Sequence, residues 1–312
     1  MMGAMITIEN VTKSYGQFVA VDDISFVAQS GKVTGFLGPN GAGKSTSMRI
    51  MVGLTPQDRG QALIGGHRFS DIPNPSRHVG VLLDASAQHA GRTGREVLRL
   101  SAETMSIERE RVEEMLTLVG LSGSEAKRRV RNYSLGMRQR LGIAHALLGD
   151  PSVLILDEPA NGLDPAGIRW MRRLLKSYAD QGGTVLLSSH LLNEVELIAD
   201  EMILIGGGKI VASGTKESLL SGEATSTLVH SEDNDALGRQ LAAAGHSVTV
   251  EAGGLRVDCD SPTVGRAALE AQVVLTELRS GATGLEDLFL ALTEDTQREG
   301  HPAAATAQGG TA

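Results

Sequence analysis

The sequence predicts an α/β fold with a parallel central sheet, followed by a small α+β domain. Three observations carry that expectation. The stretch 33–37 is a buried-strand candidate, and the fully apolar run 153–156 suits a central strand of a parallel sheet. A glycine-rich turn at 38–45 follows the first stretch and opens a helix through Met51. Beyond residue 222 the chain changes to short strands alternating with helices, and its charge changes with it.

The elements follow in order. Residues 6–11 and 24–27 alternate apolar and polar positions, the pattern of half-buried strands. Residues 60–67 read as a hairpin region. Between 86 and 148 the period becomes helical, at 95–105 and 109–118. That segment holds 11 Arg or Lys against 7 Asp or Glu, which suits either a solvated helical face or a surface that meets a partner at a membrane. Residues 152–212 return to α/β, with a helix at 169–180, a strand at 184–188, a helix at 191–199 and a strand at 202–205. The last domain is expected over 222–293, with strands at 225–230, 247–250, 255–259 and 273–278 and helices at 235–244, 264–271 and 285–293. Strand, helix, two strands, helix, strand suggests a ferredoxin-like sandwich. Residues 294–312, rich in Ala, Gly, Thr and Gln, are expected to be a disordered tail.

Composition narrows the function. The 312 residues are 41% hydrophobic and 21% charged, an ordinary globular profile. Aromatics make up 3%, too few for platforms that stack single-stranded nucleic acid. Of a net charge of −8, residues 215–312 supply 15 acids against 6 bases, so the remainder is nearly neutral. No basic excess marks a nucleic-acid binder, and none is expected as partner. The single cysteine, Cys259, excludes an intrachain disulfide and fits a reducing cytosol. The start, MMGAMITIEN, lacks the charged region and apolar core of a signal peptide. No run of about 18 apolar residues occurs, so a membrane role must come through another chain.

Gly38, Pro39, Asn40, Gly41, Ala42, Gly43, Lys44 and Ser45 fit the pattern G-x-x-x-x-G-K-[ST] between a strand and a helix, with Thr46 next in line. Glycines let backbone N–H groups converge on phosphate oxygens, and the helix dipole adds to the attraction. Lys44 supplies charge at the β- and γ-phosphates, and the Ser45 hydroxyl is a Mg²⁺ ligand. Such a loop needs a second carboxylate at the end of a buried strand. Asp157 fills that place as a Mg²⁺ ligand, and Glu158 beside it can polarise an attacking water.

Three more pieces name a family. Tyr133, Ser134, Leu135, Gly136 and Met137, then Arg138-Gln139-Arg140, resemble the signature motif of ABC ATPases. Asn161-Gly162-Leu163-Asp164 resembles the D-loop, and His190 after Ser188-Ser189 resembles the switch histidine. A lone histidine after a strand is usually an ordinary residue; five motifs in family order and spacing are not chance. The resemblance covers residues 5–220. It implies a P-loop NTPase ABC cassette: a RecA-like core, an antiparallel β subdomain and a helical subdomain at about 86–148. It implies ATP and Mg²⁺ as ligands, and a second ATPase subunit, expected to be identical, bound head to tail. Each ATP then lies between the phosphate loop of one copy and Ser134, Leu135, Gly136 and Met137 of the other, near Asp164. Glu158 and His190 take the catalytic roles, and Tyr15 resembles the aromatic that stacks on adenine. A separate transmembrane permease would hold the subunit at the cytoplasmic face of the membrane.

Three positions depart: Leu135 and Met137 replace a glycine and a glutamine of the commonest signature, in which Gly136 is retained, and the third lies nearer the phosphate loop in sequence. Where the family has a glutamine after a strand, this chain has Asp84, with Gln88 four residues on as the alternative. Asp84 is the positional match and can still bind Mg²⁺. The 79–100 stretch, the SLGM signature and residues 284–290 resemble the ABC-2-type drug and antibiotic export branch. The expected function is therefore ATP-driven export of a small molecule. The alternative is a non-transport ABC ATPase acting on ribosomes or DNA, which the single P-loop and the lack of a long coiled coil disfavour.

Overall fold

The computed structural model describes residues 5–220, 226–251, 253–280 and 288–289. The chain divides into two compact units, changing between Ala212 and Ser213. The expected domain start near 222 and the tail 294–312 lie outside the described residues, as does the 285–293 helix except for residues 288–289.

The first unit opens with β1 (Ile6–Tyr15) and β2 (Phe18–Ala28), which pair antiparallel; β4 (Arg59–Ile64) pairs with the other edge of β1. Both strands run longer than their alternating cores at 6–11 and 24–27. Register shifts along β1 break the strict period of two that sequence reading relies on. Tyr15 pairs with Phe18 across a two-residue turn, so both aromatics sit at the hairpin tip.

The second sheet has six strands in the order β5 (Val79–Leu82), β6 (Val153–Leu156), β7 (Thr184–Ser189), β3 (Val33–Leu37), β8 (Glu201–Gly206), β9 (Lys209–Gly214). The pairs from β5 through to β8 are parallel. Every residue of β3, β6 and β7 is buried, as suits largely apolar strands covered on both faces. Phe36 of β3 packs on Phe26 of β2 with ring centroids 5.4 Å apart, joining the two sheets through one core with Met48, Met51, Ile155 and Leu186.

Helix α1 (Lys44–Met51) follows β3. Between β5 and β6 lie α2 (Gly94–Met105), α3 (Glu110–Leu118), the short α4 (Ser124–Lys127) and α5 (Leu135–Leu147). Thr93 and Glu96 form a reciprocal capping box at the start of α2. Helix α6 (Pro165–Asp180) runs between β6 and β7. It starts four residues before the expected helix because Asp164 caps it and Pro165 suits its first position. Helix α7 (Leu192–Val195) is shorter than the expected 191–199; the chain continues in single turns, with Ile198 N–H donating to Val195 O at 2.9 Å.

The second unit begins at Ser213 and includes α8 (Lys216–Leu220). Then come β10 (Thr227–Ser231), α9 (Asn234–Ala243), β11 (Val248–Glu251), β12 (Gly254–Val257), α10 (Ser261–Glu270) and β13 (Leu275–Ser280). The sheet order β11-β12-β10-β13, antiparallel at each junction, is the split βαβ arrangement of a ferredoxin-like sandwich. Its own core gathers Val229, Leu237, Leu241, Leu255, Val257 and Val264. Cys259 is buried beside them as a small apolar residue.

Candidate nucleotide site

The order β6-β7-β3 brings three carboxyl ends side by side. The glycine turn leaves β3, Asp157 and Glu158 leave β6, and His190 leaves β7. Ligands of open parallel sheets bind in this crevice.

Gly43 precedes α1 with φ 109°, a conformation that side chains resist, and it offers no side-chain cap. The first N–H groups of α1 therefore lack a side-chain acceptor from their cap and suit an anion. A cavity of about 260 Å³ opens over this turn, lined by Pro39, Asn40, Gly41, Gly43 and Lys44 through Thr46. Glu158 closes one side, and Tyr15 and Phe18 stand at another. Tyr15 is 52% exposed, with its ring 5.5 Å from Lys13 Nζ.

Lys44 is buried and donates to Gly38 O at 2.6 Å and to Pro39 O at 3.3 Å. Its ammonium lies 3.7 Å from Glu158 Oε1. Burial pushes the Lys44 pKa below its ordinary value, and the Glu158 and Asp157 carboxylates oppose that shift. Glu158 Oε2 is 2.9 Å from His190 Nδ1. One carboxylate thus bridges a lysine and a histidine at the wall of the cavity.

Three residues that sequence reading missed complete the site. Ser188, buried in β7, donates to Asp157 Oδ1 and accepts from Glu158 N–H at 2.9 Å. Gln139, buried on α5, donates from Nε2 to Glu158 O at 3.0 Å. Phe18 is the hairpin partner of Tyr15. A serine interrupting the apolar run of β7, next to the acid-bearing strand, is the one signal that could have been read. Glu158 itself sits at φ 48°, in the left-handed region. For a residue with a Cβ this costs about 1–3 kcal/mol and persists only where neighbours enforce it.

Other expected site residues stand apart from this cavity. Ser134 caps α5, its Oγ accepting from Met137 N–H at 3.2 Å, and Leu135 is 50% exposed. A Cβ on Gly136 would lie 2.7 Å from Gly162 O, so the signature turn rests on the D-loop of the same chain. Asp164 Oδ1 accepts from Gly167 N–H at 2.8 Å as the α6 cap. Asp84 is exposed, and its Oδ1 accepts from Ser86 N–H at 2.7 Å; Gln88 ends the same turn. The donor set suits Mg²⁺: the exposed Ser45 hydroxyl in the first turn of α1 and the Asp157 carboxylate beyond β6 are hard oxygen ligands. A cation of that kind takes few protein ligands beside phosphate oxygens and water, and supplies charge neutralisation. A second cavity, of about 520 Å³, lies along α6 by Arg169, Arg172 and Leu197, and contains none of the expected site residues.

The chain resembles known proteins in sequence and in fold. The ABC transporter family matches over residues 21–161. An ABC transporter ATP-binding protein of Bacillus subtilis is 35% identical over 96% of this chain and 99% of its own. The bacitracin transport ATP-binding protein of Bacillus licheniformis is 41% identical over 67% of this chain and 69% of its own. The daunorubicin/doxorubicin resistance ATP-binding protein of Streptomyces peucetius is 34% identical over 96% and 93%. A solved ATP-binding subunit of an ABC transporter superposes with a TM-score of 0.65 at 27% identity, over 70% of this chain and 92% of that one. With a phosphate loop, an acid pair and a histidine meeting at one sheet edge, and relatives aligned across both units, the chain belongs to the ABC transporter family as one of its ATP-binding proteins, an ABC-type ATPase.

Proposed function

We propose that this chain is the ATP-hydrolysing subunit of an exporter, and that it drives a drug or antibiotic through a separate transmembrane permease. The observation that carries the reading is the Glu158 carboxylate, set between Lys44 and His190 on the wall of the phosphate cavity. The substrate class follows the relatives, whose names speak of bacitracin transport and daunorubicin resistance. Among the described residues no helix is long and apolar enough to cross a membrane. The transport path therefore belongs to another chain, and this one would work at the cytoplasmic face, held there by that partner.

The residues divide the labour. The loop N–H groups and the dipole of α1 hold the phosphates, while Lys44 neutralises charge at the β- and γ-phosphates. Ser45 and Asp157 would hold Mg²⁺, and Asp84 stands as a further candidate. Glu158 takes the proton of the attacking water and His190 keeps that carboxylate oriented. Tyr15 and Phe18 offer ring faces to the adenine. The signature residues Ser134, Leu135, Gly136 and Met137, with Asp164, complete the site of a second copy bound head to tail. Two ATPs then close the pair, and loss of the γ-phosphate opens it.

Lys44→Ala tests the cavity directly. Removing a charged hydrogen bond to phosphate costs about 1.5–3 kcal/mol, roughly 10- to 100-fold in ATP affinity. Calorimetric titration of the full-length chain with ATP reads that loss. Wild-type affinity in the variant would remove Lys44 from the phosphate site. Export itself is read in cells that carry the chain with its permease: drug resistance should require Glu158.

A further inference from the structure

Glu158 is gripped through its backbone as well as its carboxylate. Its N–H donates to Ser188 Oγ and its C=O accepts from Gln139 Nε2, at 2.9 and 3.0 Å. Between those two bonds φ is 48°, so the peptide units on either side of Cα are fixed in a conformation the residue would not otherwise favour. Both partners are held in place. Gln139 is 3% exposed and Ser188 is fully buried inside the sheet. Neither lines the phosphate cavity. A left-handed residue swings its side chain away from the strand direction, and here the carboxylate lands between Lys44 and His190.

Gln139 adds a connection that Ser188 does not. It belongs to α5, whose N-cap is Ser134 and whose first turn rests on Gly162 O. Helix α5 therefore touches the 158–162 segment at both ends, once through Gln139 and once through Gly136. A shift of α5 along its axis must move the Glu158 carbonyl or break the bond to it.

We propose that Gln139 is a positioning residue for the general base, with Ser188 as its counterpart on the sheet. It ties the setting of the Glu158 carboxylate to the position of α5. This rests on the ATPase reading above and deepens it: the helix that carries the signature turn for the partner's ATP also sets the base of its own site. Occupation of one site is thereby felt at the general base of the other through the Gln139 amide.

The test uses full-length chain. Gln139→Met keeps the length and burial of the side chain and removes the donor; Gln139→Glu replaces the donor by an acceptor facing a carbonyl. Displacing a catalytic group by about 1 Å costs on the order of 100-fold in rate, so kcat should fall 10- to 100-fold in both variants. ATP affinity should stay within about twofold of wild type, because the phosphate cradle is untouched. ATP-bound dimers should persist longer, since cleavage is what ends them. Ser188→Ala should behave alike, and Ser188→Thr, which keeps the hydroxyl, should recover most of the rate. In a Glu158→Gln background the Gln139→Met change should lower residual turnover no further, because the group it positions is gone. Melting curves separate these effects from unfolding. The proposal is overturned if Gln139→Met turns over within about twofold of wild type, or if it loses ATP affinity and rate in equal measure. Failure of the ATPase reading would show differently, as wild-type ATP binding in Lys44→Ala.

Discussion

Gly38 leaves no room for a side chain. A Cβ there would lie 2.5 Å from the Ile205 carbonyl oxygen and 2.8 Å from Ile205 Cγ2. The first of these is backbone of β8, so nothing can swing aside. Gly38→Ala should destabilise the fold by about 1–3 kcal/mol, as overpacking does. It should also weaken ATP binding, because the loop must move away from β8 to admit the methyl group. Thermal melting and ATP titration check both effects, and an unchanged melting temperature would mean that the loop relaxes freely. The phosphate loop was legible in the sequence because its chemistry is contiguous: eight residues carry strand exit, glycines, lysine and hydroxyl together. Ser188 and Gln139 were not legible, because each acts on Glu158 across a fold contact that no local pattern announces. Asp84 shows the same limit from the other side. Its place after β5 was readable, whereas the bond of its carboxylate to Ser86 N–H depends on how the following turn closes.

Elements were predicted well where they are buried on all sides and less well where only ends decide. Strands β3 and β6 run from the first to the last apolar residue of their sequence patterns, since burial on both faces leaves no period to misread. The start of α6 shifted because Asp164, read as a partner-facing D-loop acid, also caps the helix. Within the helical segment, α5 and α2 meet at His145, whose Nε2 is 2.8 Å from Ser101 Oγ. Burial lowers the His145 pKa from an ordinary value of 6.5. In acid, the unfolded chain takes up a proton that the folded chain resists. Stability is full above pH 6.5 and falls as pH drops through that value toward the lower folded one. His145→Gln keeps a polar partner for Ser101 and removes the titration. Its melting temperature should decline less than wild type between pH 7.5 and pH 5, and parallel declines would place the acid sensitivity elsewhere.

For the whole molecule, the proposed head-to-tail pair must cover what one copy leaves open. The cavity over α1 is bounded by the loop, Glu158 and the β1–β2 hairpin tip. The cap Ser134 and exposed Leu135 belong to another part of the surface and reach none of it. A γ-phosphate seated in the cavity would leave part of its charge facing outward, and the N-terminus of α5 from a second copy is an anion-binding group suited to meet it. In the pair proposed above, ATP would act as a two-sided ligand whose affinity is shared by both copies, and removal of the γ-phosphate would end the differential. Glu158→Gln keeps the side-chain size, removes the base and leaves Lys44 and α1 intact. With Mg²⁺ and ATP this variant should elute at twice the mass of the single chain, and with ADP at the single-chain mass. Wild type under turnover should give little dimer, because each cleavage ends the association. Light scattering on the eluted peak reads the mass directly. A variant that binds ATP tightly yet stays single would show that the Ser134 turn has no nucleotide to meet.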